Sequence, residues 1–302
     1  MTNRTNTAPI LFVVFNRQET TIRVFEAIRQ RRPRQLFIAA DGPRTDRAGE
    51  AEKCDAVRKI ATAVDWPCEV KTLFREHNLG CRDAVSSAIN WFFENVEEGI
   101  ILEDDCLPHP DFFRFCNELL DYYRNDERIM QISGSNFQQG QKRGNASYYF
   151  SRYANIWGWA SWRRAWQYYD ADLNNLDIAV LENTFSSGKL INRWMEILQK
   201  VKDRNPYFNS WDFQWSYTLF EHKGLTVSPN VNMVSNIGFG SGTHTLKKDS
   251  EFAEIPATSI EKELIHPSAK IPDEAADKFV FERMYSDSIW ARLKKHIAGV
   301  LK

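Results

Sequence analysis

Gly99-Ile100-Ile101-Leu102-Glu103-Asp104-Asp105 sets a short apolar run directly against three consecutive carboxylates. An unbroken apolar run of that length suits a strand buried on both faces, as in the middle of a parallel sheet. Its acidic end marks where the strand leaves the core, and negative charge there is costly unless something positive compensates it. If the extended geometry continues, Glu103 and Asp105 point to one side and Asp104 to the other.

Upstream, the same unit recurs. Ile10 to Phe15 reads as a buried strand followed by a helix over Glu19 to Gln30. Gln35 to Ala40 is a second strand, ending at Asp41-Gly42-Pro43, with a charged helix near Ala48 to Val64. Glu69 to Phe74 is a third strand, and a helix over Cys81 to Val96 leads into the acidic segment. Strand and helix in alternation predict an α/β fold with a doubly wound, mostly parallel sheet, whose ligands bind beyond the carboxyl ends of the strands. Asn16-Arg17, Asp41 to Arg44, His77-Asn78-Leu79-Gly80 and Glu103-Asp104-Asp105 are the polar groups at those ends.

Downstream of residue 150 the composition changes, with Trp157, Trp159, Trp162, Trp166, Trp194, Trp211 and Trp215 crowded together. Helices are expected over Ser161 to Tyr168, Leu190 to Lys202 and Ser210 to His222. The Trp162 and Trp166 pair has the i,i+4 spacing of helix packing. Trp157 and Trp159 flank Gly158 and suit either a core or a platform for a sugar ring. Gly238, Gly240 and Gly242 then add backbone freedom just before His244, which suits either a glycine-hinged flap over a ligand or an irregular loop with an incidental histidine.

The chain has 302 residues, 43% hydrophobic and 26% charged, close to globular averages. A net charge of -1 argues against nucleic acid as the main partner. The basic run Arg29 to Arg34 falls where a helix ends before Pro33, and the helix dipole accounts for it. Five cysteines without a CxxC pair suggest a reducing compartment. The polar start and the short apolar run from Ile10 carry no export signal, which points to the cytoplasm.

Consecutive carboxylates at a strand end offer hard oxygen ligands for Mg²⁺ or Mn²⁺, which bridge to diphosphate oxygens. They also suit a solvated turn that caps the helix expected over Pro110 to Tyr123.

Leu102-Glu103-Asp104-Asp105 followed by Pro110-Asp111-Phe112-Phe113 resembles the metal-binding segment of N-acetylglucosaminyltransferase I and related GT-A glycosyltransferases, including bacterial enzymes of the family 2 type. Pro9-Ile10-Leu11 with Asn16-Arg17, then Asp41, Gly158-Trp159, Trp211-Asp212 and Phe239-Gly240 with Gly242 and His244 follow that family's landmarks in order. The resemblance implies a GT-A domain over 1–250, with a nucleotide-sugar-binding half in about 9–150 and an acceptor half with a flexible loop in about 151–250, and leaves 251–302 as a C-terminal extension. It implies donor contacts from Phe15, Asn16, Arg17, Asp41, Asn78, Gly80, Glu103, Asp104 and His244, a metal on Asp105, and Asp212 as catalytic base. The implied donor is a nucleotide sugar, UDP-N-acetylglucosamine first, and the acceptor a glycan or lipid-linked glycan hydroxyl. An inverting transfer gives Asp212 its own chemical reason, since one base must take the acceptor proton. Otherwise Asp212 is a helix N-terminal acid between core tryptophans.

The QxxRW motif of processive synthases is absent from this sequence. Two other functions fit less well. A sugar-phosphate nucleotidyltransferase needs a glycine-rich loop after the first strand, where this chain has Asn16-Arg17-Gln18-Glu19. A sugar-binding module would use the tryptophans and a cation but needs no acceptor-side base. Finally, Ile289, Trp290, Leu293, Ile297, Val300 and Leu301 recur at helical spacing beside Arg292, Lys294, Lys295 and Lys302. A helix over 288–302 therefore suits docking on the domain or peripheral contact with an anionic membrane.

Overall fold

The computed structural model describes residues 7–239 and 251–285. The first half delivers the expected alternation: β1 (Ile10–Val14), α1 (Gln18–Arg31), β2 (Gln35–Ala40), α2 (Glu50–Ala61), β3 (Glu69–Phe74), α3 (Gly80–Asn95) and β4 (Glu98–Glu103). A short β5 (Cys106–Pro108) and α4 (Pro110–Tyr122) follow, then β6 (Ile129–Ser133), β7 (Tyr148–Ser151) and β8 (Trp159–Trp162). The remainder comprises α5 (Arg163–Trp166), α6 (Ile178–Thr184), α7 (Gly188–Lys202), α8 (Asp212–Glu221), β9 (Leu225–Pro229), β10 (Val234–Asn236) and α9 (Glu274–Met284).

Eight strands form one twisted layer in the order β3-β2-β1-β4-β8-β6-β9-β7. β3, β2, β1 and β4 pair in parallel, as do β6 and β9, whereas β8 and β7 run against their neighbours. The sheet is therefore mixed, with six strands pointing one way and two the other. Buried Ile10, Phe12, Ile100 and Leu102 face a core layer under α1, α2 and α4. Their neighbours Leu11 and Ile101 face a second layer with α3, α5 and α8. Period two within a strand produces this split, which explains why these strands read as continuously apolar.

The helix expected over Ser161 to Tyr168 is instead a strand followed by a single helical turn. β8 inserts antiparallel between β4 and β6, with Trp159 opposite Ile101 and Trp162 opposite Glu98. An odd spacing along a strand sends the two indoles to opposite faces. Trp162 lies in the first layer and donates from Nε1 to the Leu120 carbonyl at 3.2 Å, while Trp159 and Trp166 lie in the second. The i,i+4 spacing of Trp162 and Trp166 thus spans a strand-to-helix junction and brings no contact between them through one helix face.

A third cluster, with Tyr153, Trp194, Phe220 and Phe281, fills the space between α6, α7, α8 and α9. Residues 251–285 join this body: Phe252 enters the third cluster, Ile260 the first, and Pro272 bridges to Phe150 on β7. Among the described residues no helix is long and apolar enough to cross a membrane. The helix expected over 288–302 and the segment carrying Gly240, Gly242 and His244 lie outside the described residues.

Candidate active site

β4 ends at Glu103, and the chain turns at once through Asp104 and Asp105 into β5. That turn breaks the strand alternation, so the expectation that Asp104 points away from Asp105 is wrong: both carboxylates reach one arginine. Arg17, at the N-terminal boundary of α1, donates from Nη1 to Asp105 Oδ2 at 2.8 Å and from Nη2 to Asp104 Oδ1. Asp104 also accepts the Phe15 backbone N–H at 3.3 Å. The first and fourth strands are adjacent in the sheet, and that adjacency brings residues 15–17 to residues 103–105.

Burial pushes the Glu103 carboxyl up, to about 8, and Asp105 adds to the effect while Arg17 opposes it; Asp104 and Asp212 contribute further. Asp104 is likewise pushed up by burial, to about 6, against the pull of Arg17. For Arg17, burial would lower the pKa, but Asp104 and Asp105 outweigh it and hold the guanidinium charged. Asp104 and Asp105 thus share one arginine, with Glu103 and Asp212 close enough to add their charge to the group.

Asp212 opens α8, in the electrostatic neighbourhood of Glu103 although 109 residues separate them in the chain. Ser210 Oγ donates to Asp212 Oδ1. Cys81, at the start of α3, has its thiol pushed up by burial and then by Glu103, Asp212 and Asp105, which places it among the same carboxylates. It is an un-ionised thiol there and a poor nucleophile.

A second group lies on the adjoining rim. Asp41 accepts N–H donors from Gly42 at 2.8 Å, Leu79 at 2.9 Å and Gly80 at 3.1 Å, and the Asn78 side-chain amide at 2.8 Å. Burial nonetheless leaves its carboxyl raised. Asp41 therefore ties the loop after β2 to the loop that opens α3. Gly80 has φ of 79°, a left-handed conformation that side chains resist, and the place of its missing Cβ is 3.0 Å from Asn209 Nδ2. The loop carrying Ser210 and Asp212 thereby rests on the loop carrying Asn78 and Gly80.

Asn16 belongs to a third group. Its amide donates to Glu50 Oε1 at 2.9 Å, and Arg44 grips the same carboxylate from its backbone N–H at 2.7 Å and its Nε at 2.9 Å. These contacts, Arg44 first, hold Glu50 down to about 2. The Arg44 guanidinium also lies 5.5 Å from the centre of the Phe15 ring. Trp159 is buried in the core, whereas Trp157 is partly accessible and packs edge-on against Phe137 and Phe239.

Of the residues singled out from sequence, Phe15, Arg17, Glu103, Asp104, Asp105 and Asp212 form one cluster, with Asp41, Asn78 and Gly80 beside it and Asn16 turned to Glu50. Ser210, Cys81 and Glu50 escaped sequence reading. Ser210 stands two residues from Asp212 and was findable as a local hydrogen-bonding partner, while Glu50 had no spacing signal to link it with Asn16. Among the described residues no three His, Cys, Asp or Glu side chains form a ready cation cage. What the site does offer is a carboxylate, Asp105, 15% exposed and more accessible than its neighbour Asp104 at 3%. That fits a hard cation that takes one protein ligand and fills its other positions with water and phosphate oxygens, as Mg²⁺ commonly does.

No protein-family model and no curated protein matches the chain. Among solved structures, a cytidylyltransferase from Leptospira borgpetersenii serovar Hardjo-bovis is 14% identical, with TM-score 0.30, 68% of this chain and 74% of that one covered. A UDP-glucose pyrophosphorylase complexed with UDP-glucose is 9% identical, with TM-score 0.36 and coverage of 74% and 90%. The WbbM bifunctional glycosyltransferase is 10% identical, with TM-score 0.30 and coverage of 74% and 38%. The α/β architecture of this chain rests on its own strand order and on the parallel pairing of β1 to β4.

Proposed function

We propose that the chain is a metal-dependent, inverting glycosyltransferase of GT-A type that moves a sugar from a nucleotide diphosphate to an acceptor hydroxyl. The observation that carries this reading is the convergence of Glu103, Asp104 and Asp105, at the end of a central parallel strand, with Asp212 from the opposite half of the chain. A donor diphosphate would lie beyond the carboxyl ends of β1 and β4, where ligands of such sheets bind. Arg17 there offers the planar donor fork that matches phosphate oxygens. Asp105 would hold Mn²⁺ or Mg²⁺, whose chemistry is to neutralise charge developing on the departing diphosphate. Phe15, Asn16, Asp41, Asn78 and Gly80 line the rim on the nucleoside side, and Glu103 and Asp104 face the sugar. Asp212 takes the acceptor proton, with Ser210 donating to one of its oxygens and so helping to orient the carboxylate. In this reading His244 comes from outside the described residues to the diphosphate. UDP-N-acetylglucosamine is the first donor to try, a glycan or glycolipid the acceptor, and the cytoplasm or the inner face of a membrane the location.

The test is a panel of nucleotide sugars with Mn²⁺ or Mg²⁺, scored by release of nucleoside diphosphate with and without chelator. Metal-dependent release from one donor supports the reading. Pyrophosphate release from a nucleoside triphosphate and a sugar phosphate, with no turnover of any nucleotide sugar, would replace it with nucleotidyl transfer.

A further inference from the structure

The feature that a generic donor site does not require is the way Arg17 is held. Its two terminal nitrogens divide between two carboxylates, Asp104 and Asp105, and its side chain is 23% exposed while theirs are 3% and 15% exposed. Both oxygens of Asp105 are in use: Oδ2 accepts from Arg17, and Oδ1 lies 3.5 Å from the Cys106 thiol. The backbone of Gly238 packs across this ion pair. A Cβ at 238 would fall 2.6 Å from Arg17 Nη1 and 2.8 Å from Asp105 Cβ, so any side chain there forces the pair to shift. The next residue back is fastened to the same place, with Ile237 N–H donating to the Asp105 carbonyl at 2.8 Å. The guanidinium therefore occupies the Oδ2 side of Asp105, and a cation bound to that oxygen would meet a like charge at close range.

Resting on the reading above, we propose that Arg17 is a counter-ion latch: it holds Asp104 and Asp105 until a diphosphate draws its guanidinium away, so that cation and nucleoside diphosphate bind together and the cation binds poorly alone. A diphosphate offers the guanidinium two neighbouring acceptors on one ligand, in place of one oxygen from each of two separate carboxylates. Transfer of Arg17 to the phosphates frees Asp105 Oδ2 for the cation, and the cation in turn removes the carboxylate that would pull Arg17 back. The coupling is reciprocal, as linkage requires. Because Gly238 lies over the pair, this exchange is also felt by the backbone at 237–239.

The experiment measures Mn²⁺ binding by electron paramagnetic resonance of the free ion, with the whole chain, in the absence and presence of UDP. Wild type should bind Mn²⁺ weakly alone and at least about tenfold more tightly with saturating UDP, within the usual span of coupling between sites. Arg17→Met removes the charge at similar length; it should bind Mn²⁺ alone about tenfold more tightly than wild type, while its UDP affinity falls and its coupling shrinks. Arg17→Gln is read in the same way where the methionine variant does not fold, and Arg17→Lys, which keeps a cation, should stay close to wild type. Unchanged or weaker Mn²⁺ binding by both uncharged variants, with wild type still binding Mn²⁺ in the presence of UDP, overturns the latch alone. Absence of Mn²⁺ binding to wild type even with UDP overturns the cation reading of the site, and the latch with it.

Discussion

Substituting Gly238 by alanine adds a single methyl group to the backbone that crosses the Arg17–Asp105 pair. Ordinary contact begins near 3.4 Å, and the new Cβ would lie 2.6 Å from Arg17 Nη1, so 3.4 − 2.6 = 0.8 Å of movement is needed there. Arg17 can swing its tip, but Asp105 Cβ at 2.8 Å cannot yield without shifting the strand end, and Ile237 is hydrogen-bonded to that same residue. The strain should cost about 1 to 3 kcal/mol of stability, the range for overpacking, and lower the melting temperature by several degrees. Displacement of a ligand group by roughly 1 Å costs on the order of 10²-fold in rate. Gly238→Ala should therefore fold and lose about 10²-fold in turnover of its nucleotide sugar. Gly188→Ala is the matched control, because nothing lies within 4 Å of a Cβ at that position, and it should keep full activity. Diphosphate release and thermal melting would be followed on both variants. Full turnover by Gly238→Ala at wild-type donor affinity would refute the placing of Asp105 and Arg17 at the reacting centre.

Asp105→Ala should abolish metal-dependent turnover, with excess EDTA doing the same to the unaltered chain; persistence of activity in either sample removes Asp105 as the cation anchor. Asp212→Asn should retain donor affinity within a few-fold but lose about 10² to 10⁴ in rate, and a parallel loss of donor affinity would show the residue to be a helix-terminal support instead. Asp277, buried on α9 against Ser151 and Arg152, has its carboxyl pushed up by burial to about 6 from the ordinary 3.8. Its folded pKa is raised, so the associated stability is complete below pH 3.8 and is lost as pH rises toward 6, up to about 3 kcal/mol. Asp277→Asn should accordingly match wild type near pH 4 and melt higher at pH 7.5; a lower melting temperature at pH 7.5 would mean that the Arg152 pair outweighs the cost of burial. For residues 288–302, sedimentation with anionic liposomes at low and high salt compares the full chain with one ending at Ser286. Salt-sensitive binding lost on truncation supports a membrane-lying helix, and its absence together with a lower melting temperature supports docking.

Three of the four parallel strands were legible because a strand buried on both faces must be apolar throughout, and Ile10 to Val14, Gln35 to Ala40 and Gly99 to Leu102 carry that pattern between helices of 3.6 period, whereas the edge strand Glu69 to Phe74 showed itself by polar alternation. The acidic end of the fourth strand was legible for the converse reason, since charge at a core boundary stands out. β8 was not, because four residues from Trp159 to Trp162 satisfy a helical and a strand pattern equally, and only insertion between β4 and β6 decides between them. Sequence order likewise placed Arg17 and Glu103-Asp104-Asp105 at one rim, but not their contact. That depends on a turn directly after Glu103, which ends the alternation and sends two successive carboxylates to one guanidinium. The partners of Asn16 and Asp41, the support of Asp212 by Ser210 and the closure of Gly238 over Asp105 were settled by tertiary structure alone. Local sequence records the period and polarity of each element, whereas these contacts join residues that become neighbours only when separate strands enter the same sheet.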